Sequence, residues 1–228
     1  MTASAQNTVT GGRAIVFGMT VLVFAMMAVV AQLPMPMQDS LLAEGGPFET
    51  LSVVGYGLCI LLMFVLWPAG SVARRWYFAV FMALFAAREL DLDKKPFTEG
   101  LLKARQFSSD GVSLMEKGVA GVILLAIIAT GLILLRRETW GFIRGVAKGA
   151  APQLAVLIGL LFIVVYKMTD GLARKLEPFG ITLGQDQIDL AYVIEEVGEL
   201  GIPLMFAVAI YLTYRLPRFA AAAPSTAP

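Results

Sequence analysis

The chain has 228 residues, 58% of them hydrophobic and 15% charged, with a net charge of +1 and no histidine. So much apolar sequence exceeds what one soluble core of this size buries, and the absence of histidine excludes His-ligated zinc or iron and the Ser-His-Asp and Cys-His nucleophiles. One cysteine, Cys59, excludes an internal disulfide framework, and a near-neutral charge without a basic stripe excludes nucleic acid as a partner.

Apolar windows recur at 14–33, 50–68, 76–90, 118–135, 153–170 and 190–214. They are continuous rather than alternating, which argues for helices and against a β-barrel. The predicted fold is therefore all-α: a polytopic membrane protein with a six-helix transmembrane bundle over 14–218 and the lipid bilayer as its solvent. Residues 1–13 form a cytoplasmic N-terminus, and the small, Pro-rich tail at 219–228 reads as disordered.

The first window, Ala14–Leu33, is 20 residues without a charge. It is longer than a secretory h-region, so a retained helix is expected, although Val29-Val30-Ala31 is a passable cleavage site. Glu44-Gly45-Gly46-Pro47-Phe48-Glu49 then leads into the second window, where Glu49 suits a helix N-terminus. Cys59 reads as a packing residue.

The third window is cleanly apolar only over Trp76–Ala87, 12 residues, before Arg88-Glu89-Leu90-Asp91-Leu92-Asp93-Lys94-Lys95. Thr98–Phe107 reads as a short amphipathic helix at the interface, and Ser113 with Glu116 has capping-box spacing. After the fourth window, Thr139–Gly149 carries Trp140, Phe142, Ile143 and Val146 among Arg136, Arg137, Arg144 and Lys148. That pattern predicts a surface helix anchored to anionic lipid. The fifth is apolar over Leu154–Tyr166 and then reads Lys167-Met168-Thr169-Asp170-Gly171-Leu172-Ala173-Arg174.

In the sixth window only Leu200–Tyr214, 15 residues, is free of charge. Such a helix spans roughly 22 Å against a hydrocarbon core of about 30 Å. Completing the span draws Glu199, Glu196 and Glu195 into the membrane, where an acidic side chain costs about 2.5–3.5 kcal/mol at mid-depth. Glu199 lies i+4 from Glu195 and i+3 from Glu196, so it neighbours both. Pro203 leaves the Glu199 carbonyl without its helical donor.

Six spans place both termini on one side, together with 9 basic residues and a single acid, Glu138. The Lys/Arg count is a tie between sides, but the 34–48 connection has no basic residue, and we place the termini in the cytoplasm of a bacterial inner membrane. The third, fifth and sixth helices then run out of apolar residues on the same outer side. The expected site is a polar pocket among them, in which Arg88, Lys167 and Arg174 pair with Glu89, Asp91, Asp170, Glu195, Glu196 and Glu199.

Carboxylates gathered in one turn suit a proton or a hard divalent cation, Mg²⁺, Ca²⁺ or Mn²⁺, with Glu195 and Glu199 as ligands. The leading expectation is a protein that binds or translocates a cation or proton from the extracytoplasmic side. A membrane enzyme acting on lipid head groups, or a structural subunit of a membrane complex or homo-oligomer, remain as alternatives. Asp170-Gly171-Leu172-Ala173-Arg174 with Gly184, Asp186 and Asp189 is similar in order to the signature of CDP-alcohol phosphatidyltransferases. It departs from that signature in spacing, and Lys167 stands where an aspartate belongs.

Arg88-Glu89-x-Asp91-x-x-Lys94, an acidic start to the second helix and Glu195-Glu196-x-x-Glu199 late in the chain resemble a group of uncharacterised polytopic bacterial inner-membrane proteins with this order of charged helix ends. The resemblance covers most of the chain and implies a bacterial membrane protein without assigning an activity. Members often carry a histidine near position 93, where this chain has Asp93, so histidine-dependent chemistry is not carried over.

Overall fold

The computed structural model describes residues 3–215, and among these all regular structure is helical. The helices are α1 (Ala3–Val30), α2 (Met35–Leu42), α3 (Pro47–Leu66), α4 (Ala69–Arg74), α5 (Trp76–Glu89), α6 (Arg105–Ser108), α7 (Leu114–Ala147), α8 (Ala151–Thr169), α9 (Leu172–Leu176) and α10 (Gln185–Tyr214). The six apolar windows fall on α1, α3, α5, α7, α8 and α10. Residues 3–13, expected as a separate segment, continue α1 as helix, and the tail at 219–228 lies outside the described residues.

Four helical stretches are long and apolar enough to cross a membrane: Gly11–Val30, Met35–Leu66, Leu114–Ala147 and Ala151–Thr169. Their outward faces carry large apolar side chains such as Phe17, Phe64 and Leu125, an inside-out pattern compatible with a membrane protein. The other two differ from these: α5 has 14 residues, about 21 Å of helix, whereas α10 has 30 residues, about 45 Å, carries Glu195, Glu196 and Glu199, and is largely buried by its neighbours.

The charged helix is nonetheless the central one. α10 packs against α8, α3 and α1, and α5 packs on α3. Gly201 lets three helices meet: a Cβ there would lie 3.0 Å from Val23 of α1 and 3.0 Å from Phe162 of α8. On the opposite side, the Pro203 ring would lie 3.0 Å from a Cβ on Gly55 of α3. The Cys59 thiol donates to the Pro203 carbonyl at 3.3 Å, and the Trp67 indole N–H donates to the Ile210 carbonyl at 3.2 Å. α3 is thus fastened along much of α10, and Glu195, Glu196 and Glu199 are drawn into the bundle by the helix that forms its axis.

Three local expectations are corrected. Thr139–Gly149 is not a separate surface helix, because α7 continues through Leu135 without a break to Ala147 and ends where Gly149 takes φ 63°. Neither Gly141 nor Gly145 interrupts it; an isolated glycine weakens a helix by only about 1 kcal/mol. The helix expected over Thr98–Phe107 is reduced to the single turn of α6, with the rest of the segment folded around the buried Gln106. Gln106 accepts from the Glu99 N–H at 2.9 Å and donates to Glu116 at 2.8 Å. Ser113 does cap α7, accepting from the Glu116 N–H at 3.2 Å, but the Glu116 carboxylate does not turn back to complete the box. It binds the Thr98 N–H and hydroxyl instead.

Candidate carboxyl site

Arg88 sits at the last turn of α5, directly before Glu89. Its guanidinium donates to Glu89 at 3.0 Å and, through both terminal nitrogens, to one oxygen of Glu199 on α10 at 3.4 Å. The Glu89 side chain is 3% exposed and that of Glu199 12%, while Arg88 retains 40%. Arg88 stacks over the Tyr166 ring of α8, 5.2 Å from its centroid, so one side chain joins α5, α8 and α10. Phe85, one turn earlier, packs on Phe206 of α10 at 6.2 Å and stacks on Tyr56 of α3 at 5.4 Å.

Glu89 and Glu199 are joined through Arg88, which donates to both. One guanidinium therefore faces two buried acids. The Tyr56 hydroxyl is fully buried and, among the described residues, has no hydrogen-bond partner. Glu196 lies among further acids, Glu199, Glu195 and Glu49. Among the described residues neither Glu195 nor Glu196 makes an ion pair.

The broader charge pocket expected from the sequence divides into local pairs. Asp91 binds Lys94 at 2.7 Å and Lys95 at 3.8 Å, within its own connection. The Lys94 hydrogen bond holds the Asp91 carboxyl below the usual carboxylate range. Lys167 binds Asp170 at 2.7 Å, three residues on, and likewise lowers the Asp170 carboxyl. Arg174 makes no ion pair among the described residues. Arg88 is therefore the cation that links the third and sixth predicted helices; Lys167, Arg174, Asp91 and Asp170 do not join that contact. Nor do the acids converge as a metal-ligand set: among the described residues no three Asp, Glu or Cys side chains are placed to hold a metal ion, so Glu195 and Glu199 are not joined by a third ligand.

Tyr56 and Tyr166 were not among the sequence candidates. Each is a lone tyrosine in an apolar helix, and both an inward and a lipid-facing position are open to such a residue until the helix rotation is known. Two open clefts lie at the end of the bundle where α5 and α8 finish. One is lined by Leu92, Pro96, Phe97, Met115 and Val119, the other by Thr169, Leu172, Leu190 and Ile194, and neither includes Arg88, Glu89 or Glu199. Compared with protein-family models, curated proteins and solved structures, the chain finds no match.

Proposed function

We propose that this is a six-span protein of a bacterial inner membrane that takes up and releases a proton at the Glu89–Glu199 carboxyl pair, reached from the extracytoplasmic side. The observation that carries the reading is charge stoichiometry in a buried place: two acids, almost out of solvent, share one guanidinium. With both carboxylates ionised the group keeps one uncompensated negative charge where the dielectric is low, and a proton on either carboxyl removes it. A proton also needs no cavity. A divalent cation is the weaker choice, because a third ligand is missing and Arg88 already occupies the electropositive position.

The position along α10 supports the same reading. Glu199 lies 15 residues before Tyr214, about 22 Å of helix, which sets it in the outer part of a core about 30 Å thick. Glu195, one turn further out, and Arg88, partly exposed, offer the route to water. Tyr56 lies on the inner side of the pair as a hydroxyl able to accept or pass the same proton.

Difference infrared spectroscopy on the purified protein tests this between about pH 5 and pH 9, a range that spans ordinary and strongly shifted carboxyls. A protonated-carboxyl C=O band that titrates, and that is lost in both Glu89→Gln and Glu199→Gln, is the expected result. A spectrum with no such band, unchanged in either variant, overturns the proposal.

A further inference from the structure

The opposite end of the bundle carries a second electrostatic feature that the carboxyl site does not use. Arg13 of α1, Arg74 and Arg75 at α4, Arg136, Arg137 and Arg144 of α7, Lys148, and Arg215 after α10 gather there. They are held together by direct contacts: Arg13 donates to the Gly149 carbonyl at 2.8 Å and Arg137 to the Arg74 carbonyl at 3.2 Å. Among the described residues this end has one acid, Glu138, and it is already engaged by Arg75 at 3.3 Å and by the Tyr77 hydroxyl. Arg74, Arg136, Arg137, Arg144 and Lys148 are all exposed and, among the described residues, bind no carboxylate.

Their height on α7 indicates what they meet. The helix leaves its apolar run at Leu135 and continues for 12 residues to Ala147, about 18 Å. The polar headgroup layer occupies about 5–8 Å on each side of the hydrocarbon core. Arg136 and Arg137 therefore lie at phosphate level when the exposed Leu132 and Leu135 are covered by acyl chains. Trp140, exposed and stacked under Arg144 at 4.8 Å, marks the upper edge of that layer, and Trp76 lies exposed at the start of α5. Arg144 and Lys148 project beyond, within a Debye length of about 10 Å of the surface.

We propose that this end is a binding surface for anionic lipid headgroups, with Arg74, Arg136 and Arg137 at the phosphates and Arg144 and Lys148 in the diffuse surface potential. It differs from the in-plane anchor expected from the sequence, because the charges come from several elements and stand on an upright helix. A lipid surface is favoured over a nucleic acid or an acidic protein because the exposed apolar residues directly below the arginines need acyl chains against them.

The test is competitive lipid retention. Full-length protein in mixed micelles is equilibrated with equal amounts of phosphatidylglycerol and phosphatidylcholine, washed, and the retained lipids are counted. Phosphatidylglycerol is enriched at least about fivefold, the worth of one basic residue beside an anionic surface, and the enrichment falls in high salt. Arg74→Gln/Arg136→Gln/Arg144→Gln loses most of it, and the corresponding triple lysine variant keeps it. Lys103→Gln/Arg105→Gln, at the other end, also keeps it. Equal retention of the two lipids by the parent protein overturns the proposal, as does undiminished enrichment in the glutamine triple. Displacement of the bound phosphatidylglycerol by inorganic phosphate or a short RNA, beyond that caused by sodium chloride at the same ionic strength, also overturns it. If the triple variant does not purify, single Arg136→Gln and Arg144→Gln variants give the same reading through a partial loss.

Discussion

Replacing Arg88 with alanine tests the carboxyl site most directly. The substitution leaves Glu89, with a side chain 3% exposed, and Glu199, at 12%, without the cation they share. Removing one partner of a buried ion pair destabilises by about 3–5 kcal/mol, because the remaining charge stays buried. Here Arg88 is itself 40% exposed, so water already screens part of the contact and the expected loss is smaller, about 2–3 kcal/mol. For a chain of this size that corresponds to a fall in Tm of about 4–12 °C, measurable by thermal unfolding in detergent or nanodiscs. The cause is charge rather than lost packing, so Arg88→Ala combined with Glu199→Gln recovers much of the loss. Arg88→Lys recovers only part, because one ammonium does not reproduce the guanidinium's two-nitrogen contact with Glu199 and its stacking on Tyr166. If Arg88→Ala unfolds within about 2 °C of the parent, or if the double variant loses the sum of the two singles, the charge argument is wrong.

Other sites give independent checks. Gly201→Val forces a side chain against Val23 and Phe162 and is expected to destabilise by about 1–3 kcal/mol, read as the same Tm shift, whereas Gly118→Ala, inside α7, meets nothing and is expected to raise Tm slightly. Gln106→Ala removes the fully buried amide that joins Glu99 to Glu116, so the 97–113 connection is expected to open, read as faster amide hydrogen exchange there with little change elsewhere. Asp91 and Asp170 have lowered carboxyl pKa values from Lys94 and Lys167. A depressed folded-state pKa adds stability that is full above the unfolded value near 3.9 and disappears as pH falls through the lower folded value; Asp91→Asn/Asp170→Asn is therefore expected to flatten the acid limb of the stability curve below about pH 4. Asp91 also has φ 55°, so Asp91→Ala is expected to lose about 1–2 kcal/mol more than Asp91→Gly in thermal unfolding.

The parts of the fold and site that were legible in the sequence are those marked by charge. Arg88 and Glu199 stand out because their helices run short of apolar residues on the same side, and the structure brings these two side chains together. The same signal overreached at Lys167, Asp170 and Asp91. Lys167 and Asp170 are three residues apart, as are Asp91 and Lys94, and that spacing lets each pair close within its own turn before a distant partner is needed. Spacing separates these pairs from Glu199: Asp91 and Asp170 each have a lysine at i±3 and are already served, whereas Glu199 has no cation at i±3 or i±4 and is met by another helix. Where charge is absent, the sequence is nearly silent. Tyr56 borders the site through its stack on Phe85, yet α3 is apolar around it, and lipid is as apolar as a protein interior. In water, the hydrophobic stripe of a helix tells which face is buried. In a bilayer that contrast is lost, so the rotation of α3, and with it the inward aim of Tyr56, is set by how the Pro203 ring fits over Gly55 and by the hydrogen bond from Cys59 to the Pro203 carbonyl.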